Sequence, residues 1–264
     1  MTTFYHAWCS NANILSTAKV RLFCFPYAGG GASVYRDWTE FFHEDMEVCP
    51  VQLPGRESRW QEPPMAAVQQ IVSAFMAEIE PLLHKPFAFF GHSMGAMIAY
   101  EAALAARERY GKQPVHLFVS GQSAPGYRMT RKNRSHLPDA EFKLELLRMN
   151  GTPPEVLQHE ELMAMLMPRI RADFAVCEQY MPTKAAQPLT CPITVFGGTE
   201  DYEVSLESLK AWRERSLGEF DLHLLEGDHF FLNTVRERGR ILHVLQDTLL
   251  HTASITEPVH VRTG

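Results

Sequence analysis

The sequence lacks the features that mark several large classes of protein. No apolar run reaches the roughly 18 residues that a membrane-spanning helix needs. The best stretch, residues 94–106, is interrupted by Glu101. No positively charged start precedes an apolar segment, so we expect no secretory signal. No internal repeat of 20–50 residues is present, which argues against a solenoid or a propeller.

Paired cysteines and an excess of one charge are also absent. The net charge is −6, so we expect no nucleic-acid partner and no membrane association. The five cysteines are odd in number and form no CxxC pair, a usage typical of free thiols in a cytoplasmic protein. There is no HExxH motif and no aspartate-rich calcium loop, so no metal is expected.

Short apolar runs do alternate with longer segments of helical period. The 264 residues fit one large α/β domain. Six strands are predicted, at Val20–Phe25, Glu47–Leu53, Pro86–Phe90, Val115–Ser120, Pro192–Gly197 and Phe220–Leu225. Helices are predicted between and after them, at Ser33–Phe42, Ala66–Leu83, Met94–Arg109, Glu203–Arg215 and Phe230–Leu250. This order predicts a mostly parallel, doubly wound sheet.

One long segment, about 127–182, interrupts the alternation with helical patterns only. Its predicted helices are Asp139–Met149, Pro154–Met167 and Ile170–Tyr180, and we expect them to cover the carboxyl edge of the sheet as a lid. Six of the twelve methionines lie here: Met129, Met149, Met163, Met165, Met167 and Met181. Methionine adapts to varied apolar shapes, so they fit either a packed helical core or an acyl pocket under the lid.

The strongest local motif is GHSMG at residues 91–95. It follows a predicted strand and opens a predicted helix, which is the context of a GxSxG nucleophile elbow. Such a turn presents Ser93 at the top of the sheet, at a helix N-terminus that favours developing negative charge. Ser93 is therefore the candidate nucleophile.

A serine nucleophile needs a base and an orienting acid, which follow it in this fold in the order acid, then histidine. Asp201 comes directly after the fifth strand, with Glu200 and Asp228 as competing acids. His229 follows the sixth strand and precedes the last helix, which singles it out among twelve histidines. We predict a triad of Ser93, Asp201 and His229.

An oxyanion hole requires two backbone N–H groups aimed at the reacting oxygen. One is predicted at Met94, directly after the nucleophile. The other is predicted at Ala28, in the loop Phe25–Gly31 at the end of the first strand, with Tyr27 and Gly29 as neighbouring alternatives. Three consecutive glycines there allow close approach to a ligand. Phosphate binding is the competing interpretation, but neither phosphate-loop motif is present.

Five segments together resemble the type II thioesterases that accompany polyketide and nonribosomal peptide synthases. They are LFCFPYAGGG (22–31), QLPGRE (52–57), PFAFFGHSMG (86–95), FGGTED (196–201) and GDHFF (227–231). The sequence is also similar to the medium-chain thioesterase of animal fatty acid synthase. The resemblance covers residues 20–245, and Tyr27 stands where some relatives have histidine.

This resemblance implies an α/β-hydrolase fold with a helical lid. It implies hydrolysis of acyl thioesters carried on the phosphopantetheine arm of a carrier protein, with no cofactor bound by the chain itself. We expect a monomer in which Tyr27, Met163, Met167 and Phe230 contact the acyl chain. The basic run Arg128, Arg131, Lys132 and Arg134 is a candidate docking site for acidic carriers, although such runs also occur as solvated loops.

Four functions remain open at this point. The first is editing of misprimed or stalled synthases, and the second is release of medium-chain fatty acids by the same chemistry. The third is hydrolysis of oxygen esters, against which the absence of an HGGG-type loop counts. The fourth is a binding module without activity, which would not need Ser93, Asp201 and His229.

Overall fold

Parallel strands form the centre of the molecule. The structure is a computed structural model that describes residues 7–9, 17–42, 46–127, 133–183 and 187–256. Within these residues the strands are β1 (Val20–Phe25), β2 (Met46–Pro50), β3 (Phe87–His92), β4 (His116–Ser120), β5 (Ile193–Gly198) and β6 (Phe220–Leu225). They form one sheet in the order β2-β1-β3-β4-β5-β6, and every neighbouring pair is parallel.

Helices connect the strands and cover the sheet. In the described part of the chain they are α1 (Trp38–Phe41), α2 (Val68–Ile79), α3 (Met94–Tyr110), α4 (Asp139–Met149), α5 (Pro154–Gln158), α6 (Glu160–Gln179), α7 (Leu206–Lys210) and α8 (Val235–Thr256). Helices α2 and α3 pack on one face through a core that includes Phe75 and Phe89, and α8 packs on the other through Ile241 and Leu245. The central strands are therefore buried on both faces, which explains their apolar runs.

The strand order places β3 between β1 and β4, with β5 beside β4 and β6 at the edge. Because all strands run parallel, the loops that follow β1, β3, β4, β5 and β6 leave from the same edge of the sheet. This arrangement brings the candidate oxyanion loop, the Ser93 turn and the two loops with Asp201 and His229 to one place.

The six predicted strands are all present, but several predicted helices are shorter or are divided differently. The helix predicted from Ser33 to Phe42 is two short pieces, a 3-10 turn at Ala32–Tyr35 and α1. Ser33 does not cap a helix, because its hydroxyl donates to Glu57 Oε1 at 2.5 Å. Strand β2 ends at Pro50 rather than Leu53. The next residue, Val51, forms an isolated antiparallel bridge with Cys9.

The predicted break between the last two helices of the 127–182 segment is wrong. Helix α6 continues through Pro168 as one 20-residue helix. Met163, Met167, Ile170 and Phe174 recur at helical spacing on both sides of the proline and join one buried cluster with α4 and α5. Burial of this continuous apolar face outweighs the hydrogen bond that a proline removes from a helix.

Two further observations concern the whole described chain. None of its helices is both long and apolar enough to cross a lipid bilayer. All five cysteines lie among the described residues, none of them is in a disulfide, and four of them are buried.

A buried histidine in β4 generates a prediction about acid stability. Burial lowers the pKa of His116 to about 4, and its Nε2 lies 2.8 Å from Thr194 Oγ1. In the unfolded chain the pKa is about 6.5, so between pH 6.5 and 4 the unfolded state binds the extra proton and stability falls as pH falls. We expect His116→Gln to remove about 2 kcal/mol of the loss between pH 7 and pH 5.

Urea unfolding at the two pH values measures this difference. His84→Gln, at an exposed position, is the matched control and should leave the pH dependence as in the wild type. Equal pH dependence in the His116→Gln and wild-type proteins would contradict the assignment.

Candidate active site

Ser93 occupies a strained turn between β3 and α3. Its φ of 53° and ψ of −117° lie outside the regions that residues with a Cβ favour. The turn is held by hydrogen bonds: Ser93 N donates to Ser120 O at 2.8 Å, and Ala96 N donates to Ser93 O at 3.0 Å. A backbone strained by about 1–3 kcal/mol persists only where its surroundings fix it, as they do here.

The two glycines of the motif are required by close packing. A Cβ on Gly91 would lie 2.1 Å from Gly95 O, and a Cβ on Gly95 would lie 2.1 Å from Phe25 O. Both neighbours are backbone atoms that cannot turn aside. The helix can therefore begin directly against β1 and β3 only if both positions lack a side chain.

The three predicted triad residues form one hydrogen-bonded line. His229 Nε2 lies 3.0 Å from Ser93 Oγ, and His229 Nδ1 lies 2.8 Å from Asp201 Oδ2. The side chains of His229 and Asp201 are 5% and 1% exposed, so water does not separate them. This geometry allows the imidazole to take the serine proton while the carboxylate holds the other ring nitrogen.

The loops that carry Asp201 and His229 are joined by their backbones. Thr199 N donates to Leu225 O at 2.8 Å, and Glu200 N donates to Gly227 O at 2.9 Å. The second oxygen of the Asp201 carboxylate accepts a hydrogen bond from Glu203 N at 2.8 Å. The competing acids are placed elsewhere, since Glu200 is exposed and Asp228 Oδ1 accepts from Phe230 N.

His92, the second residue of the motif, lies behind the base. Its ring centroid is 5.2 Å from that of His229, and its Nδ1 is 2.9 Å from Ser120 Oγ. Burial, together with the neighbouring His229, lowers the pKa of His92 well below its ordinary value. His92 is therefore neutral at pH 7 and places no positive charge beside a protonated His229.

The two predicted oxyanion donors flank the serine. Met94 N is the first amide of α3, and Ala28 lies with Ser93 and His229 on the wall of one cavity. Among the described residues, neither amide donates a hydrogen bond to another group of the protein. Both are thus free for a ligand oxygen.

The cavity has a volume of about 570 Å³. Besides the reacting residues, its wall includes Met97, Gln122, Cys177 and Tyr180. Burial raises the pKa of the Cys177 thiol, so this sulfur is protonated and is not a second nucleophile. Polar and apolar side chains share the wall, and residues of the 127–182 segment form one side of it.

Four residues predicted to contact the acyl chain do not line this cavity. Met163 and Met167 are buried in the core of the helical segment, against residues of α4 and α5. Tyr27 and Phe230 pack edge to face at 5.0 Å, next to the rings of His92 and His229. The methionine content of the segment was compatible with a packed core or with an acyl pocket, and only the structure places Met163 and Met167 in the core.

The predicted docking cations divide into two groups. Arg128, Arg131 and Lys132 lie outside the described residues. Arg134 is not a free docking cation, because its guanidinium is buried and pairs with Glu145 and Glu203, each at 2.6 Å. Since Glu203 N also binds Asp201, this pairing ties the helical segment to the loop of the candidate acid.

A second buried ion pair, which was not predicted from the sequence, lies beside the glycine loop. Arg56 Nη1 donates to Gly30 O at 2.9 Å, and its guanidinium forms two hydrogen bonds with Asp173 of α6. Asp173 also accepts from Gly29 N at 2.7 Å. Arg56 belongs to the QLPGRE segment that the resemblance singled out, but nothing in the spacing of the sequence pointed to Asp173.

The parallel sheet, the strained turn at Ser93 and the line of serine, histidine and aspartate define a protein of the α/β-hydrolase fold. Comparison with known proteins then gives the family. The chain matches the thioesterase domain family over residues 20–249. It therefore belongs to the thioesterase family, and is a thioester hydrolase by that membership.

Individual relatives agree with this assignment. The chain is 52% identical over 225 residues to the gramicidin S biosynthesis protein GrsT of Aneurinibacillus migulanus, covering 85% of this chain and 88% of the relative. It is 36% identical over 221 residues to the medium-chain S-acyl fatty acid synthase thioesterase of Rattus norvegicus, covering 81% and 82%.

A solved structure gives the same result. The type II thioesterase BorB from the borrelidin biosynthetic cluster matches with a TM-score of 0.83 and 32% identity, over 93% of this chain and 99% of that chain. The predicted fold class and the predicted resemblance are confirmed by these comparisons.

The close packing at Gly95 generates a prediction. We expect Gly95→Ala to push α3 away from Phe25 and displace Ser93, which should lower kcat/KM for p-nitrophenyl acetate at least 100-fold and destabilise the fold by about 1–3 kcal/mol. Gly239→Ala is the matched control, because a Cβ there meets no atom within 4 Å. That change lies in a helix and should stabilise the protein by about 0.5–1 kcal/mol. Full activity of Gly95→Ala would contradict the packing argument.

Proposed function

We propose that this protein is a serine thioesterase that removes acyl groups from the phosphopantetheine arm of carrier proteins. We further propose that it clears misprimed or stalled groups from a polyketide or nonribosomal peptide synthase. The observation that carries the proposal is the hydrogen-bonded line from Ser93 through His229 to Asp201, which opens on a cavity in a chain of the thioesterase family.

In the first half of the proposed reaction, Ser93 Oγ attacks the thioester carbonyl carbon while its proton moves to His229 Nε2. Asp201 keeps the proton of Nδ1 in place and stabilises the imidazolium. The negative oxygen of the tetrahedral intermediate accepts hydrogen bonds from Met94 N and Ala28 N. The C–S bond then breaks, and the pantetheine thiolate leaves and takes up a proton from His229.

In the second half, a water molecule gives a proton to His229 and attacks the acyl-serine carbonyl. The same amides hold the second anionic intermediate. Collapse breaks the bond to Ser93 Oγ, which recovers its proton from His229, and the free acid leaves. The neutral state of His92 supports this cycle, because a second positive charge beside His229 would oppose its protonation. No step requires a cofactor bound by the chain.

The editing role is supported by two similarities. GrsT is a gramicidin S biosynthesis protein, and BorB is a type II thioesterase of a biosynthetic cluster. The alternative is release of medium-chain fatty acids, which the similarity to the rat enzyme supports. Hydrolysis of small oxygen esters is a weaker alternative. We also propose that the protein is a monomer and that it is cytoplasmic, where cysteines without disulfides are the rule.

Hydrolysis of defined acyl carriers tests the proposed activity. The wild type should hydrolyse acyl-phosphopantetheinyl carrier protein faster than a p-nitrophenyl ester of the same acyl group. Ser93→Ala should lower turnover by about 10⁴ or more, and Asp201→Asn by a similar factor. Glu200→Gln is the control, because Glu200 is exposed and should leave turnover unchanged. An active Ser93→Ala protein would remove the proposed mechanism.

The same assay separates the two synthase roles. Carriers loaded with acetyl, propionyl, octanoyl and palmitoyl groups are compared at equal concentration. Faster removal of acetyl and propionyl supports editing, whereas a clear preference for octanoyl or palmitoyl supports release of fatty acids.

Docking of the carrier is tested separately. We propose that Arg128, Arg131 and Lys132 attract an acidic carrier. Replacing all three with glutamate should raise KM for acyl-carrier protein about tenfold and leave KM for acyl-pantetheine unchanged. Arg109→Glu is the matched control, because this residue lies near the other end of α3, about 24 Å from Ser93. Equal effects on both substrates would contradict docking through this run.

A further inference from the structure

The orientation of the Ala28 amide is set by the turn in which it sits. Gly30 N donates to Tyr27 O at 2.9 Å, which closes a four-residue turn over residues 27–30. Gly29 takes a φ of +81°, as the third residue of a type II turn does. The peptide between Tyr27 and Ala28 is planar, so its C=O and N–H point in opposite directions. Because Tyr27 O points into the turn, Ala28 N–H points out of the turn.

The next two peptide groups of this turn are held from outside the loop. Gly29 N donates to Asp173 Oδ2 at 2.7 Å, and Gly30 O accepts from Arg56 Nη1 at 2.9 Å. Arg56 and Asp173 bind each other through two hydrogen bonds, of 2.8 Å and 2.7 Å. Their side chains are only 10% and 1% exposed, so the pair is shielded from solvent and from salt.

Asp173 lies in α6, within the helical segment, while Arg56 follows β2 and belongs to the body of the fold. Ile170, one turn earlier on α6, also approaches the loop, since a Cβ on Gly29 would lie 3.7 Å from its Cγ1. The helical segment thus contacts the turn directly and does more than cover the cavity. A shift of α6 would move both the acceptor of Gly29 N and the partner of Arg56.

We propose that Asp173 and Arg56 are positioning residues that aim the Ala28 amide at the reacting oxygen, so that the helical segment sets the geometry of the oxyanion hole. This inference rests on the proposed function of Ala28. Neither residue touches the substrate in this proposal. They act on the transition state through the turn, because an oxyanion donor is effective only when it points at the position the anionic oxygen will occupy.

The expected effect is a loss of kcat with little change in KM. Asp173→Ala leaves Gly29 N without its acceptor and Arg56 without its partner. We expect kcat to fall about 10–100-fold, which is less than the roughly 10²–10³ expected for complete loss of a donor. Asp139→Asn is the matched control, because Asp139 pairs with Arg171 on the same helical segment but is 76% exposed. Its kcat should equal that of the wild type.

Inhibitor binding distinguishes a misdirected Ala28 amide from general damage to the cavity. A trifluoromethyl ketone that mimics the acyl group forms an anionic adduct with a reactive serine, whereas a non-hydrolysable thioether mimics the ground state. In Asp173→Ala, the dissociation constant of the ketone should rise by the same factor by which kcat/KM falls. The dissociation constant of the thioether should stay within about twofold. Equal weakening of both ligands would overturn the proposal.

A second variant keeps the test decisive if Asp173→Ala does not fold. The double variant Arg56→Gln/Asp173→Asn removes both charges, so no unpaired buried charge remains, and it retains hydrogen-bonding groups for the loop. We expect its kcat and ketone affinity to recover at least threefold over Arg56→Gln alone. If the kcat and ketone affinity of the double variant do not exceed those of Arg56→Gln, the proposal that Arg56 and Asp173 act together on the turn is contradicted.

The kcat and KM of the wild type and of these variants are measured with p-nitrophenyl acetate as well as with acyl carriers. A wild type that hydrolyses the small ester but no thioester would overturn the proposed function and leave the positioning test intact. A wild type active on acyl carriers whose Asp173→Ala variant matches it in kcat would overturn only the positioning role.

Discussion

The hydrogen bond between Ser93 and His229 joins residues that are 136 positions apart in the chain. It exists because β3 and β6 are parallel members of one sheet, whose carboxyl ends face the same side. The strained turn at Ser93, the absence of a side chain at Gly91 and Gly95, and the paired loops after β5 and β6 all contribute to this one contact. None of these features alone would make Ser93 reactive, since a nucleophile without its base has low reactivity.

Among the described residues, two buried ion pairs connect the helical segment to different loops of the site. Arg134 reaches Glu203, whose amide binds the candidate acid Asp201. Asp173 reaches the turn of the candidate oxyanion donor through Gly29 and Arg56. Buried ion pairs of this kind bring little net stability because both charges lose their water, but they favour one arrangement over others. Their value here lies in fixing the loops relative to α6.

Much of this architecture could be predicted from the sequence. Six strands were predicted near their observed positions, because the burial of β1 to β5 leaves mostly apolar runs, whereas β6 is only partly buried. The positions of Ser93, Asp201 and His229 followed from their places after particular strands, and the structure brings those three side chains together. Pro168 misled the helix prediction, because local propensity is weaker than the burial of an apolar face that continues past it.

The sequence by itself determined the alternation of strands and helices, the sharp turn at GHSMG and the order of the three triad candidates. These are local properties, set by side-chain burial, by glycine and by chain connectivity. Only the tertiary structure decided which cations are buried in pairs, which methionines fill a core instead of lining a cavity, and that Asp173 binds the loop after β1. Those outcomes depend on packing between different elements of the fold, which for Arg56 and Asp173 joins residues 117 positions apart, and no spacing within one segment predicts it.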